Sequence, residues 1–292
     1  MGTLFFCPCN KFIFFSFEKL CAFILLFYFY FFFTLSYSQR QNVLSRSEVG
    51  IIAGGMYYIG DINSFQHFQL TQPAGGIFYK FNINGRFAFR IEGAYGSVKA
   101  DDQLSKDATL KNRNLNFTST IKEIGLGMEF NYFPFQIGNK NYRGTGYMFA
   151  EIAYFQMDPS TTYEGQAYQL RTLGTEGQNT SLNSQKYYSQ NQLALPIGIG
   201  FKYPIGRNFC IGTEYGIRYL FTDYLDDVGS DRYVDAGKLA VESSKLAAKL
   251  SNRSLDQNPY GLRGNSSTRD WYFFFGLTLS VNLGNPDECF KH

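Results

Sequence analysis

The fold class that the sequence predicts is all-β: an eight-stranded antiparallel transmembrane β-barrel with short periplasmic turns and long outer loops. Three observations predict it. The first is composition: of 292 residues 45% are hydrophobic and 18% aromatic, while only 17% are charged, against about a quarter charged in soluble domains. Abundant glycine, tyrosine and phenylalanine with few histidines and cysteines exclude a disordered chain, a collagen, a disulfide scaffold and a coiled coil. The second is a period-two alternation of apolar and polar residues in segments of about ten, the pattern of barrel strands. The third is that short and long links alternate between those segments, as they do when all the turns of one kind lie on one side of a membrane.

The N-terminus reads as an export signal. Lys19 precedes the apolar run Leu20–Leu35, and Ser36-Tyr37-Ser38-Gln39 offers a small-x-small cleavage site. Residues 1–38 are therefore expected to be a cleaved signal peptide with an atypical N-terminal extension, and residues 39–292 an outer-membrane barrel beginning at Gln39. Cys7, Cys9 and Cys21 belong to the signal, which leaves Cys210 and Cys289 in the exported part.

Two weak strands come first, about Glu48 to Gly60 and Pro73 to Asn82. The third, Arg86 to Val98, is the clearest, with Phe87, Phe89 and Ile91 on one face and Arg90 and Glu92 on the other. The fourth sets Ile124, Leu126, Met128 and Phe130 against Glu123 and Glu129; the fifth sets Met148, Ile152 and Tyr154 against Glu151. The sixth carries Lys202 opposite Leu193 to Phe201, the seventh Glu214 and Arg218 opposite Phe209 to Tyr219, and the eighth runs from Trp271 to Leu283. Asn82 to Gly85, with its Asn-Gly pair, and Tyr203 to Arg207 are tight turns; Pro134 to Thr145 is of medium length. Asp61 to Gln72, Lys99 to Asn116, Asp158 to Ser189 and Asp223 to Arg269 are long. Within the last, Asp235 to Leu250 reads as one amphipathic helix with Leu239, Ala240, Leu246, Ala247 and Leu250 in a stripe.

On this register the lumen receives Lys80, Arg90, Lys202 and Arg218 with Glu92, Glu123, Glu129, Glu151 and Glu214. Eight strands enclose only enough room for their own side chains, so these charges are expected to form a salt-bridged plug, Glu214 serving Arg218. His67 and His292 lack a triad setting, and neither a phosphate loop nor an HExxH is present. Asp223, Asp226 and Asp227 could be oxygen ligands for a metal, but strand-end aspartates are usually turn formers. They are expected at one rim with Glu176, Arg263 and Trp271, where Arg263 or loop amides hold the carboxylates and fix the long loops. Neither cofactor nor metal nor small-molecule substrate is expected, and a net charge of +3 without a basic cluster gives nucleic acid no purchase.

Tyr57-Tyr58-Ile59-Gly60-Asp61, Leu173-Gly174-Thr175-Glu176-Gly177, Phe221-Thr222-Asp223-Tyr224-Leu225-Asp226-Asp227-Val228, and Arg263-Gly264-Asn265 leading to Asp270-Trp271-Tyr272 form a recurring set. With the eight-strand frame, the chain from about Glu48 to Gly284 resembles the PorG-like outer-membrane barrel family, whose best-known member belongs to the type IX protein secretion system. The resemblance implies a non-enzymatic barrel in outer-membrane lipid that anchors or stabilises periplasmic ring and lipoprotein components. Those partners would be met through the turns, the Pro134 to Thr145 link among them. The alternatives are a lipid-modifying barrel enzyme, and a small porin or ligand-binding barrel.

Overall fold

The computed structural model describes residues 46–139 and 144–283. The expected signal and its cleavage point, Cys289, His292 and part of the Pro134 to Thr145 link lie outside the described residues. The described residues form nine strands: β1 (Ser47–Ile59), β2 (Gln72–Asn82), β3 (Phe87–Asp101), β4 (Asn116–Asn131), β5 (Thr145–Tyr163), β6 (Gln166–Gln169), β7 (Asn191–Ile205), β8 (Phe209–Leu220) and β9 (Trp271–Asn282). Every pairing is antiparallel. The sheet order β4-β3-β2-β1-β9-β8-β7-β5, closed by β4 on β5, makes an eight-stranded barrel. The short β6 only folds back on the end of β5.

Closure pairs both edges of each of the eight barrel strands, and the period of two does the rest. Along β3 the residues Ala88, Arg90, Glu92, Ala94, Gly96, Val98 and Ala100 are buried, while Phe89, Ile91 and Tyr95 are exposed. Around the wall the outward row Ile51, Ile77, Ile91, Leu126, Ile152, Ile197 and Leu277 is exposed, a continuous apolar belt. Close packing inside depends on glycines opposite large residues. Tyr147 pairs with Gly200 and Glu151 with Gly127 across the sheet. A methyl added at Gly200 would overlap the Tyr147 ring, and one at Gly127 the Glu151 side chain.

Three differences from the sequence expectation stand out. β3, β4 and β5 run farther than their alternation suggests, reaching Asp101, beginning at Asn116 and continuing to Tyr163. Pro159, which reads as a loop residue, sits inside β5 opposite Ser119, because a strand tolerates proline where no ladder bond is required of its nitrogen. As a result the lumen is not charged throughout. Above Glu123 it is an apolar core built from Ile52, Met56, Val98, Phe117, Ile121, Phe155, Met157, Leu220 and Phe274.

The second difference is the helix. Asp235 to Leu250 is not one helix but two, because Ser244 leaves helical geometry and its hydroxyl accepts from Ala247 N at 3.0 Å. The α-helices among the described residues are α1 (Ala108–Arg113), the single turn α2 (Leu170–Leu173), α3 (Ala236–Glu242) and α4 (Lys245–Ser251). Of the expected stripe, Leu239, Ala247 and Leu250 are buried. The third is the Pro134 to Thr145 link, whose described part turns inward: Phe135 and Ile137 are buried against Cys210. Phe135 N donates to Gly85 O at 2.8 Å, and the Lys202 ammonium stands 4.6 Å from its ring. That mouth of the barrel is stoppered by its own turn.

Candidate functional site

Two polar systems share the interior, one in the lower lumen and one in the crown of long loops. In the lumen, Arg90 is the hub. Its Nη1 and Nη2 donate to Glu214 at 2.6 and 2.8 Å. Its Nε lies 2.9 Å from Glu151, and it also bonds Glu92. Glu129 is held by both Lys80 and Lys202, the latter at 2.5 Å. Arg218 lies 3.1 Å from Glu92 and 3.5 Å from Glu123, and Glu123 accepts from the Tyr272 hydroxyl.

All nine lumen charges named from the sequence are buried and belong to this one network. The expected Glu214–Arg218 pair is not formed; strand neighbours four apart share a face but lie too far along it, and Glu214 reaches across the barrel to Arg90 and to the Tyr147 hydroxyl, 2.9 Å away. Sequence reasoning missed Glu48, buried at the stoppered end, where its carboxylate accepts from Asn82 Nδ2 at 2.7 Å. Its strand was too weakly patterned to assign a face.

The crown is built differently. Arg263, only 2% exposed, is its hub. It donates to Glu176 at 3.1 Å, to Thr175 Oγ1 and Asp227 O at 3.1 Å each, and to the last carbonyl of α4, Ser251 O. Glu176 also accepts from Gly229 N and Ser230 N, both at 3.0 Å, so one carboxylate ties two loops. Asp227 takes a left-handed backbone (φ 66°) that points its carboxylate back to Thr175 and to the Tyr188 hydroxyl at 2.7 Å. A second arginine, Arg113 at the end of α1, grips Asp102 through two bonds of 2.8 and 2.7 Å and donates to Arg263 O at 2.6 Å.

Beneath these lies an unusual trio. The Tyr58 hydroxyl stands 2.6 Å from Asp226 Oδ2 and 2.6 Å from Asp270 Oδ1, and all three residues are buried. A phenol has one proton to give. Two carboxylate oxygens at that distance therefore require one of the two acids to be protonated and to donate to the phenol oxygen. Burial pushes both Asp226 and Asp270 well above the ordinary carboxylate range, with Asp270 adding repulsion to the first and Asp223 to the second. Burial pushes Asp227 up to about 6 against the pull of Arg263, and Asp223 up to about 7, with Asp61 adding repulsion. Asp223 Oδ2 has no hydrogen-bond partner.

Of the six rim residues named from the sequence, Glu176, Asp227 and Arg263 form one cluster, Asp226 belongs to the Tyr58 trio, and Asp223 stands near it with one oxygen unpartnered. Trp271 does not join them: it begins β9 on the outer wall, where its ring meets Tyr219 edge-on at 4.9 Å. Tyr58, Asp102, Arg113, Tyr188 and Asp270 were not named as site residues, because each is contributed by a loop or strand end whose partner is remote in sequence. Among the described residues no three acidic, cysteine or histidine groups meet in a metal-holding geometry. His67 lies on the outer wall, its Nδ1 2.9 Å from the Tyr57 hydroxyl.

A family model described as a domain of unknown function (DUF6089) matches residues 24–238, and the chain belongs to that family. No curated protein matches the chain. Among solved structures, Neisserial surface protein A is similar over 81% of this chain and 97% of its own, with 11% identity and a TM-score of 0.40. The attachment invasion locus protein Ail of Yersinia pestis covers 81% and 97% at 10% identity and a TM-score of 0.39. OprG, an outer membrane protein from Pseudomonas aeruginosa, covers 82% and 100% at 8% identity and a TM-score of 0.38. At such scores these likenesses add nothing to what the closed barrel itself establishes.

Proposed function

We propose that this member of the DUF6089 family is a non-enzymatic outer-membrane barrel whose work is structural: a rigid membrane anchor with a sealed lumen and an ordered crown. The belt of outward isoleucine, leucine and phenylalanine around a closed barrel carries this reading, since a soluble protein rarely leaves so large an apolar surface in water. Tyr203 and Phe209 at the turn end and Tyr95 and Tyr154 toward the crown flank that belt, as aromatic girdles do at lipid interfaces. The short-turn end then faces the periplasm and the crown faces outward. The Arg90 network fills the lower lumen, the apolar core fills the upper lumen, and the Phe135 stopper closes the turn end, so the barrel is not a pore. In planar bilayers the purified protein should give no conductance steps; a stable channel would refute the sealed anchor.

The more specific role, an accessory of type IX secretion that steadies periplasmic ring and lipoprotein components, is supported by the motif resemblance. The exposed Tyr132 and Phe133 beside the stopper are the surface we assign to that contact. Affinity purification of the detergent-solubilised barrel should bring down periplasmic ring and lipoprotein components, and Tyr132→Ser with Phe133→Ser should release them. Recovery of the barrel without them would remove the secretion role and leave the anchor standing.

A further inference from the structure

The crown holds a second feature that the carboxylate network does not use. At the far end of β5, Tyr163 walls a cleft of about 400 Å³ together with Asn114, Val234, Lys249 and Arg253. Two cations face the same ring, the Arg253 guanidinium 5.5 Å and the Lys249 ammonium 6.0 Å from its centroid. Neither forms a salt bridge among the described residues. Arg253 donates to Thr161 Oγ1 at 3.0 Å. The charges of Asp101 and Asp102 act on Arg253 from beyond salt-bridge distance, while Asp102 is bonded by Arg113 and by Leu115 N at 2.8 Å and Asp101 by Gln103 N at 2.9 Å. Asp256, close by in sequence, accepts from Asn258 N at 3.1 Å.

Two positive groups held beside one aromatic ring in one cleft repel each other, and burial already weakens the charged form of Arg253. Cation–π attraction offsets about 0.5–1 kcal/mol of that per exposed contact, and an anion seated between the two groups would offset more. The guanidinium fork is built to hold two oxygens of one planar or tetrahedral oxyanion.

We propose that the Tyr163–Lys249–Arg253 cleft binds the oxyanion of a soluble, sugar-sized ligand, a carboxylate, phosphate or sulfate, with Arg253 as the fork and Lys249 as the second donor. Its height selects the source. Tyr163 lies nine residues beyond Tyr154, the last exposed aromatic of the belt on β5, which is roughly 30 Å of strand at about 3.3 Å per residue and about 23 Å of height at a barrel tilt of about 40°. On the reading of the belt as lipid-facing, membrane headgroups do not reach the cleft.

Isothermal titration of the full barrel in zwitterionic micelles tests this, with inorganic phosphate, glucose 6-phosphate and glucuronate as probes and glucose as the neutral control. Saturable one-site binding of at least one anionic probe is expected, weakening as salt rises, with none for glucose. Lys249→Gln with Arg253→Gln should weaken it at least tenfold, Arg253→Lys by less, and Lys245→Gln, on the same helix outside the cleft, not at all. Protease resistance of the crown is measured alongside, so that misfolding is recognised, and Arg253→Lys then carries the test. Absence of saturable binding with every anion, or equal affinity in the variants, overturns the proposal. Binding that appears only when anionic lipid is added to the micelles overturns the soluble source. A conductance step in the bilayer experiment would refute the sealed anchor and leave this cleft untouched.

Discussion

The lower lumen and the crown are both buried, both rich in acids and both organised around one arginine, yet they solve the problem of buried charge in different ways. In the lumen each carboxylate of the network meets a cation, and the hydrogen-bonded register of the strands decides which: Arg90 stands opposite Gly127 on β4, in reach of Glu151 on β5 and Glu214 on β8. In the crown the acids outnumber the arginines. Asp226 and Asp270 share a phenol, Glu176 leans on backbone amides as well as Arg263, and Asp223 has no partner for one oxygen. A network short of cations must hold protons to stay folded.

The largest expected effect follows from the lumen. Arg90→Met would leave Glu151 and Glu214 without their cation and Glu92 with Arg218 alone, and removing one partner of a buried ion network costs about 3–5 kcal/mol. The urea midpoint for loss of heat-modifiable gel mobility should fall sharply. An unchanged midpoint would mean that water reaches these carboxylates, and the contrast between the two regions would collapse. Arg263→Met should act more locally. It removes the link between α4, the Thr175–Glu176 turn and Asp227, costing about 2–3 kcal/mol in lost charged hydrogen bonds. Proteolysis within residues 221–270 should speed up at least tenfold, while the barrel keeps its urea midpoint.

The two regions also differ in how far the sequence discloses them. A strand alternates with period two, so one clear segment such as Arg86 to Val98 assigns a face to every residue in it, and the lumen charges follow without knowledge of their partners. Which cation meets which anion depends on strand stagger around the barrel, and that is why Glu214 reads as Arg218's partner and is Arg90's. The apolar upper lumen escaped notice because Val98, Phe117 and Met157 lie where alternation fades into polar, turn-like residues. In the crown nothing is periodic. Asp227 finds Arg263 because a left-handed residue turns the chain, and Asp270 finds Tyr58 because β9 and β1 pair from Trp271 onward against Ile59. The pairing of two loops across the barrel mouth has no local signature, and Trp271, which looks like a member of that cluster, faces outward by the alternation of its own strand.

A smaller effect reads the crown by pH. A carboxyl whose folded-state pKa is raised binds its proton more tightly when folded. Its contribution to stability is therefore complete below the unfolded value, about 3.9, and is lost as pH rises through the folded value. With Asp227 at about 6 and Asp223 at about 7, the crown should loosen between pH 5 and pH 8. Protease cleavage of the long loops should be several-fold faster at the upper end after correction for the enzyme's own pH profile. Asp223→Asn, neutral at every pH, should flatten part of that rise. A crown equally protected across the range would mean that its acids are ionised and paired after all.

The smallest expected change is the most discriminating, because it asks where the proton of the Tyr58 trio sits. Asp226 Oδ1 accepts from Val228 N at 2.9 Å, and Asp270 Oδ2 accepts from Leu225 N at 3.0 Å, so in each acid one oxygen serves the backbone and the other faces the phenol. In Asp226→Asn the amide oxygen keeps the bond from Val228, and the amide nitrogen donates to the Tyr58 oxygen where the protonated acid did before. Tyr58 then gives its own proton to Asp270. Asp270→Asn works by the mirror arrangement. Each single variant should therefore change the stability of the crown by less than about 0.5 kcal/mol, the range of substitutions that leave every partner satisfied. The double variant differs, since both amides point donors at the phenol and the Tyr58 proton loses its acceptor. A buried donor left unmade costs about 1–3 kcal/mol. Hydrogen exchange of the Leu225 and Val228 amides would read this, with near-native protection in each single variant and a clear loss in the double. Should either single change cost as much as the double, both acids are ionised in the native crown, and the difference drawn here between a cation-paired lumen and a proton-holding crown fails.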